Sequence, residues 1–165
     1  MKKRLLNPVA MLVFGLLIGV IARLLDIYTQ LLGEIFSQMA IWILIGTLIA
    51  IYSPTKVRAM FNVLPFCLGM LLTYYVTAMI THGVYGRRFI IGWTVFALCS
   101  PIMALLAWMT KERGAFPKVI AVGIVAVAVL SSIVMFGRLR LYDILIDGAL
   151  VYFLFFKKID RGQNR

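Results

Sequence analysis

The sequence predicts an all-α, polytopic integral membrane protein of six transmembrane helices with both termini in the cytoplasm. Three observations carry that expectation. Hydrophobic residues make up 63% of the 165, charged residues only 14%, and the mean hydropathy is +1.00, whereas soluble domains are near half apolar and about a quarter charged. Several uncharged runs approach the ~20 residues that cross a bilayer as a helix. The lysines, finally, recur in alternate interruptions of those runs, as they do when one side of the membrane retains the positive loops.

The spans follow in chain order. Lys2-Lys3-Arg4 precedes an apolar run from Pro8 to Leu25; no small-residue cleavage site follows it, so it reads as an uncleaved first helix rather than a signal peptide. The second span runs from Leu31 to Tyr52, and its start is ambiguous because Gly33, Glu34, Ser37 and Gln38 are too polar for mid-bilayer. Residues Asp26 to Gln38 therefore admit a second reading as an interfacial stretch. The third span, Ala59 to Thr81, contains Pro65; the fourth, Phe89 to Met109, contains Pro101. Both prolines predict kinks, which membrane helices tolerate when neighbours satisfy the freed carbonyls. Trp93 and Trp108 stand near opposite ends of the fourth span, about 22 Å apart along a helix, and suit the two membrane interfaces. Val119 to Phe136 and Leu141 to Phe156 complete the set. At ~1.5 Å per residue the spans measure roughly 24 to 35 Å, bracketing a hydrocarbon core of about 30 Å. Only short polar linkers separate them, so residues 1–165 form one domain.

With the N-terminus inside, all lysines fall on the cytoplasmic side: Lys2, Lys3, Lys56, Lys111, Lys118, Lys157 and Lys158. Arg4, Arg58, Arg113, Arg161 and Arg165 join them, leaving Arg23, Arg87, Arg88, Arg138 and Arg140 outside, a split of 12 to 5. An even number of spans returns the C-terminus to the cytoplasm of a cell whose plasma membrane the chain crosses several times.

Much chemistry is excluded. A formal net charge of +11 would suggest nucleic acid in a soluble protein, but here the cations face anionic lipid and no soluble basic domain exists to hold phosphates. Cys67 and Cys99 fall within apolar runs as small hydrophobes, outside any CxxC pair or metal-ligand cluster. With a single histidine, no HExxH, no GxSxG and no Walker lysine motif, no enzyme, metal or cofactor site is expected, and ATP-driven movement would need a partner.

The outer third holds the candidate chemistry. Arg23-Leu24-Leu25-Asp26-Ile27 and Arg140-Leu141-Tyr142-Asp143-Ile144 form a short repeat in which Arg and Asp share a helix face. Asp147 lies one further turn along the same side as Arg140 and Asp143. A carboxylate some 10 Å below the interface is costly and marks a functional site by default; the expected partner is Arg23. Thr73, Tyr74, Thr77 and Thr81 add a polar stripe ending at His82. Two readings remain for these groups: a cavity for a small polar or anionic solute, with Arg23, Asp26, Arg140, Asp143 and Asp147 as polar contacts and Tyr74 and Thr77 in its wall, or structural ion pairs and interhelical hydrogen bonds. Arg87, Arg88 and Arg138 either converge on an anion-attracting mouth or bind lipid phosphates.

Gly15, Gly19 and Ala22 give the first helix a small-residue face, suited to docking another membrane subunit if it turns outward and to closing the bundle if it turns inward. With the length, six spans and cytoplasmic termini, this face resembles the substrate-binding S components of energy-coupling factor vitamin transporters, over the whole chain by architecture. That resemblance implies an outward-opening pocket, docking through Gly15, Gly19 and Ala22 onto a coupling subunit with two ATPases, and uptake by toppling. The chain departs from that family in placing charged groups where its pockets are largely aromatic and apolar. The opposing expectation is a non-transporting accessory, immunity or lipid-interacting subunit of a larger membrane complex.

Overall fold

The structure is a computed structural model that describes residues 6–83 and 86–159. These are helical almost throughout: α1 (Pro8–Tyr28), α2 (Gln30–Phe36), α3 (Met39–Tyr52), α4 (Lys56–Ile80), α5 (Arg87–Met109), α6 (Phe116–Phe136) and α7 (Leu141–Val151), which runs into one π-helical turn over Tyr152–Phe156.

Local chemistry sets the helix ends. The Asn7 side chain accepts the Ala10 N–H at 2.8 Å, with Pro8 in the first helical turn, where its missing N–H costs nothing. Thr55 caps α4 in the same way through the Arg58 N–H at 3.2 Å. Gly137 ends α6 with φ +69°, a conformation that glycine adopts without steric cost. At α7 the Asp143 carboxylate, in the first turn, accepts the Arg140 N–H at 2.7 Å, one half of a capping box. The opposite end of this element is closed by Lys111, whose ammonium donates to the carbonyls of Phe153, Leu154 and Lys157; these are acceptors the ending helix leaves unpaired.

Four helices, α1, α4, α5 and α6, are long and apolar enough to cross a membrane. The second expected span is broken: α2 and α3 meet at 58° around Ser37 and Gln38, and count as a fifth crossing only if the bent pair is one. Of the polar residues that made its start ambiguous, Ser37 and Gln38 form the break, and Gly33 and Glu34 lie in α2 just before it. The stretch expected as a sixth span is α7 with its π turn, Leu141–Phe156, shorter than ~20 residues. α4 and α5 run on through Pro65 and Pro101.

The outer surface is apolar, with Leu17, Leu72, Leu98, Ile102, Leu130 and Val134 all more than half exposed, whereas the interior contains Gln38, Ser53, Asn62 and Asp143 at 0% exposure. That inversion is what a hydrocarbon solvent imposes. α1 and α4 run parallel and pack most closely. A Cβ on Gly15 would come within 2.2 Å of the Phe66 carbonyl oxygen, and one on Gly19 within 2.2 Å of that of Met70. Only glycine permits this approach, and the Thr73 hydroxyl uses it to donate to the Leu16 carbonyl at 2.8 Å. One apolar core gathers Ala22, Trp42, Val63, Phe66, Met70, Ala104 and Trp108; a second joins Ala40, Ala121 and Ala128 to Ile146, Leu150 and Leu154 of the last element.

One sequence expectation changes. Trp108 is not an interfacial anchor turned to lipid: it is buried, its indole N–H donating to the Ser53 carbonyl at 3.0 Å with the Lys56 ammonium 5.4 Å from its ring. Trp93, the other expected anchor, is half-buried and stacks edge-on against Phe96.

Candidate functional site

The ends of α1, α2, α4 and the start of α7 collect two charged clusters. The parallel packing of α1 on α4 brings Arg23 and Asp26 to the last turns of α4. Arg23 pairs with Asp26, and its Nε donates to Thr81 Oγ1 at 3.4 Å. The Tyr74 hydroxyl donates to Asp26 Oδ2 at 3.3 Å. Gly83 keeps space for the guanidinium, since a Cβ there would lie 2.1 Å from Arg23 Nη2. This cluster holds one cation and one anion and is neutral. Thr77 stands half-buried beside it and lends its carbonyl to Thr81 Oγ1 at 2.8 Å.

The second cluster is built on α2 and α7. Gly33 lets α2 rest on α1, because a Cβ there would meet Asp26 Cα at 2.8 Å. The next residue, Glu34, then reaches α7: its Oε2 accepts from Arg140 Nη1 at 2.9 Å and from the Tyr142 hydroxyl at 2.6 Å. Arg140 Nε also stands 3.5 Å from Asp143 Oδ2, and the guanidinium lies 3.8 Å from the Phe136 ring centre. Asp147 follows one turn deeper, at 8% exposure.

The charges here do not balance. Arg140 pairs with Glu34 and Asp143, and with Asp147 one turn further along α7 the three carboxylates leave two negative charges in excess over that one guanidinium when all are ionised. Asp143 Oδ1 and Asp147 Oδ1 are both buried without a hydrogen-bond partner among the described residues. At the α2–α3 break Gln38 is wholly buried, its amide oxygen and nitrogen likewise without a partner. Its near neighbour Ala40 belongs to the same apolar cluster as Ile146, which adjoins Asp147. Arg140 Nε and Nη2 are buried without a hydrogen-bond partner among the described residues as well. Buried polar atoms are nearly always paired, so these four side chains of α7, its N-terminal edge and the α2–α3 break concentrate unmet hydrogen-bonding capacity, donors and acceptors both.

By their hydrogen bonds and ion pairs the predicted residues fall into two groups. Arg23, Asp26 and Tyr74 belong to the neutral cluster, and Arg140, Asp143 and Asp147 to the anionic one. The expected Asp147–Arg23 pair is replaced, because Asp26 and Thr81 hold the guanidinium. Arg87, Arg88 and Arg138 are exposed and bond no member of either cluster among the described residues. His82 is exposed in the turn after α4, with φ +49°. The face of Gly15, Gly19 and Ala22 is buried against α4: it is turned inward and closes the bundle, so the residues expected to dock a partner subunit are covered within the chain.

Glu34, Tyr142 and Gln38 were not anticipated as site residues. Their signal in the sequence was only that Glu34 and Gln38 interrupt an apolar run. Among the described residues no group of three His, Cys, Asp or Glu side chains converges to hold a metal ion. Compared with family models, curated proteins and solved structures, the chain matches none.

Proposed function

We propose that this chain is a solute-binding protein of the cell membrane, crossing it six times with both termini inside, and that it binds the ammonium group of a small amine between Asp143 and Asp147. The observation that carries this reading is that Asp143 Oδ1 and Asp147 Oδ1 are both buried without a hydrogen-bond partner among the described residues, in a cluster with one guanidinium on Asp143. A buried carboxylate in a low-dielectric surround needs a compensating charge or hydrogen-bond donors. An ammonium supplies both at once, with three N–H donors against two acceptors. A divalent metal fits poorly, since it demands more oxygen ligands than converge here. An anionic solute fits worse, because the surplus charge has the wrong sign.

Entry past the Arg140–Glu34 pair is supported by Glu34, whose side chain is 41% exposed at the rim. Six crossings are supported by the distribution of the lysines and by the Lys111 ammonium that closes the end of α7 on the lysine-rich side. Solute uptake with an energising module would use a docking surface other than the Gly15 stripe, which α4 occupies.

The test is thermal unfolding of the detergent-purified chain in methylammonium chloride against sodium chloride at equal ionic strength. A ligand at 100 times its Kd stabilises by about 2.7 kcal/mol, a midpoint rise on the order of 5–10 °C for a chain of this length. The rise is expected with methylammonium, not with sodium, and not in Asp147→Asn. No rise, or an equal rise in the variant, refutes the site.

A further inference from the structure

Away from the charged clusters, α3, α4, α5 and α6 enclose a cavity of about 310 Å³, within the lower range of small-molecule pockets, about 300–1,000 Å³. Trp42, Gly46, Phe96, Leu106, Gly123 and Ile124 contribute to its wall, in which Thr47 and Ser100 supply the only side-chain hydroxyls. Two glycines keep it open: a Cβ on Gly123 would meet nothing within 4 Å, and one on Gly46 only Val63 Cγ1 at 3.8 Å. Its wall residues Met103 and Leu106 on α5 and Val127 on α6 are also exposed on the outer surface. The mouth therefore lies along the α5–α6 seam, facing the lipid.

We propose that this cavity holds one acyl chain of an anionic phospholipid drawn from the surrounding bilayer, with the headgroup against Arg113 and Lys118. A polar solute would exchange its water for a nearly unbroken hydrocarbon wall. An empty void, in turn, forfeits the dispersion contacts of everything that lines it. A hydrocarbon chain entering sideways from lipid restores those contacts without crossing water. The headgroup class follows from charge. Lys118 precedes the wall residue Ile120 by two positions, roughly 3 Å of helix rise, and Arg113 lies in the loop from α5. Both are exposed and form no ion pair among the described residues. Neighbouring cations are already committed, Lys56 to Glu112 at 2.9 Å and Lys111 to the carbonyls ending α7. Two uncommitted cations at the membrane surface beside a lipid-facing mouth select a phosphate bearing net negative charge.

Native mass spectrometry of the full chain, delipidated in mild detergent and given equal phosphatidylglycerol and phosphatidylcholine, tests this. One bound lipid per chain is expected, with phosphatidylglycerol favoured about fivefold or more for each cation. Arg113→Gln combined with Lys118→Gln removes the preference but leaves a lipid bound. Gly123→Leu, which fills the cavity, lowers occupancy by either lipid about tenfold or more, whereas Gly148→Leu, on an exposed face of α7 with nothing within 4 Å of its Cβ, leaves it unchanged. If Gly123→Leu does not fold, quenching of Trp42 by phosphatidylglycerol with dibrominated chains replaces it, expected to exceed quenching by the brominated choline lipid. The proposal is overturned if Gly123→Leu binds lipid as Gly148→Leu does, if the two headgroups bind equally in the unsubstituted chain, or if the brominated chains leave Trp42 unquenched.

Discussion

Replacing Gly19 with alanine separates the two roles open to the small-residue face of α1. On an unencumbered helix the change is favourable by up to about 1 kcal/mol, because alanine gives up less backbone freedom. In this chain the new Cβ would lie 2.2 Å from both the Met70 carbonyl oxygen and Thr73 Oγ1. Non-bonded contact needs about 3.5 Å, so α1 and α4 must part by roughly 1 Å, enough to stretch the Thr73–Leu16 hydrogen bond now at 2.8 Å. Overpacking costs about 1–3 kcal/mol, and an interhelical hydrogen bond in a membrane about 0.6 kcal/mol more. The clash outweighs the propensity gain, and a net loss of about 1–3 kcal/mol is expected. Gly148→Ala is the matched control, expected to be neutral or stabilising, since nothing lies within 4 Å of the added atom. Reversible unfolding in mixed micelles measures both. If Gly19→Ala is as benign as Gly148→Ala, the face is not covered by α4 and is again available to dock a partner.

Arg140→Gln leaves the wholly buried Asp143 without its cation and should destabilise by about 3 kcal/mol, toward the lower end for a broken buried pair because Glu34 is partly exposed. Adding Asp143→Asn should recover more than half of that loss in a double-mutant cycle, and simple additivity would show that the two groups are not coupled. Lys111→Met removes the donor that closes the π turn and should cost about 1–3 kcal/mol, with faster amide exchange expected at Lys157, whose N–H bonds the Tyr152 carbonyl at 3.0 Å; unchanged exchange would show that the ammonium does not hold that end.

Much of the fold was legible because its signals are local. Hydrophobic runs marked the long helices, and the three-residue spacing of Arg and Asp marked both ion pairs. The repeat is nevertheless used in two ways: Arg23 and Asp26 lie within the last turns of α1, whereas Arg140 precedes α7 and Asp143 caps it. That difference depends on where each helix begins, which the repeat itself does not encode. The pairings that define the site are long-range, Glu34 with Arg140 across 106 residues and Tyr74 with Asp26 across 48, and no periodicity specifies them. The direction of the Gly15 stripe was equally hidden, since an α-helix with small residues on one face packs the same way on its own chain or on another. Trp108 misled because tryptophans near span ends often face lipid, while this one finds a carbonyl inside the bundle.

The amine site is tested most directly by equilibrium binding of radiolabelled methylammonium to the purified chain. One saturable site per chain is expected, displaced by unlabelled methylammonium but not by sodium, lost in Asp147→Asn and retained in Asp26→Asn, whose carboxylate belongs to the neutral cluster. Absence of saturable binding, or binding that survives Asp147→Asn, would contradict the assignment.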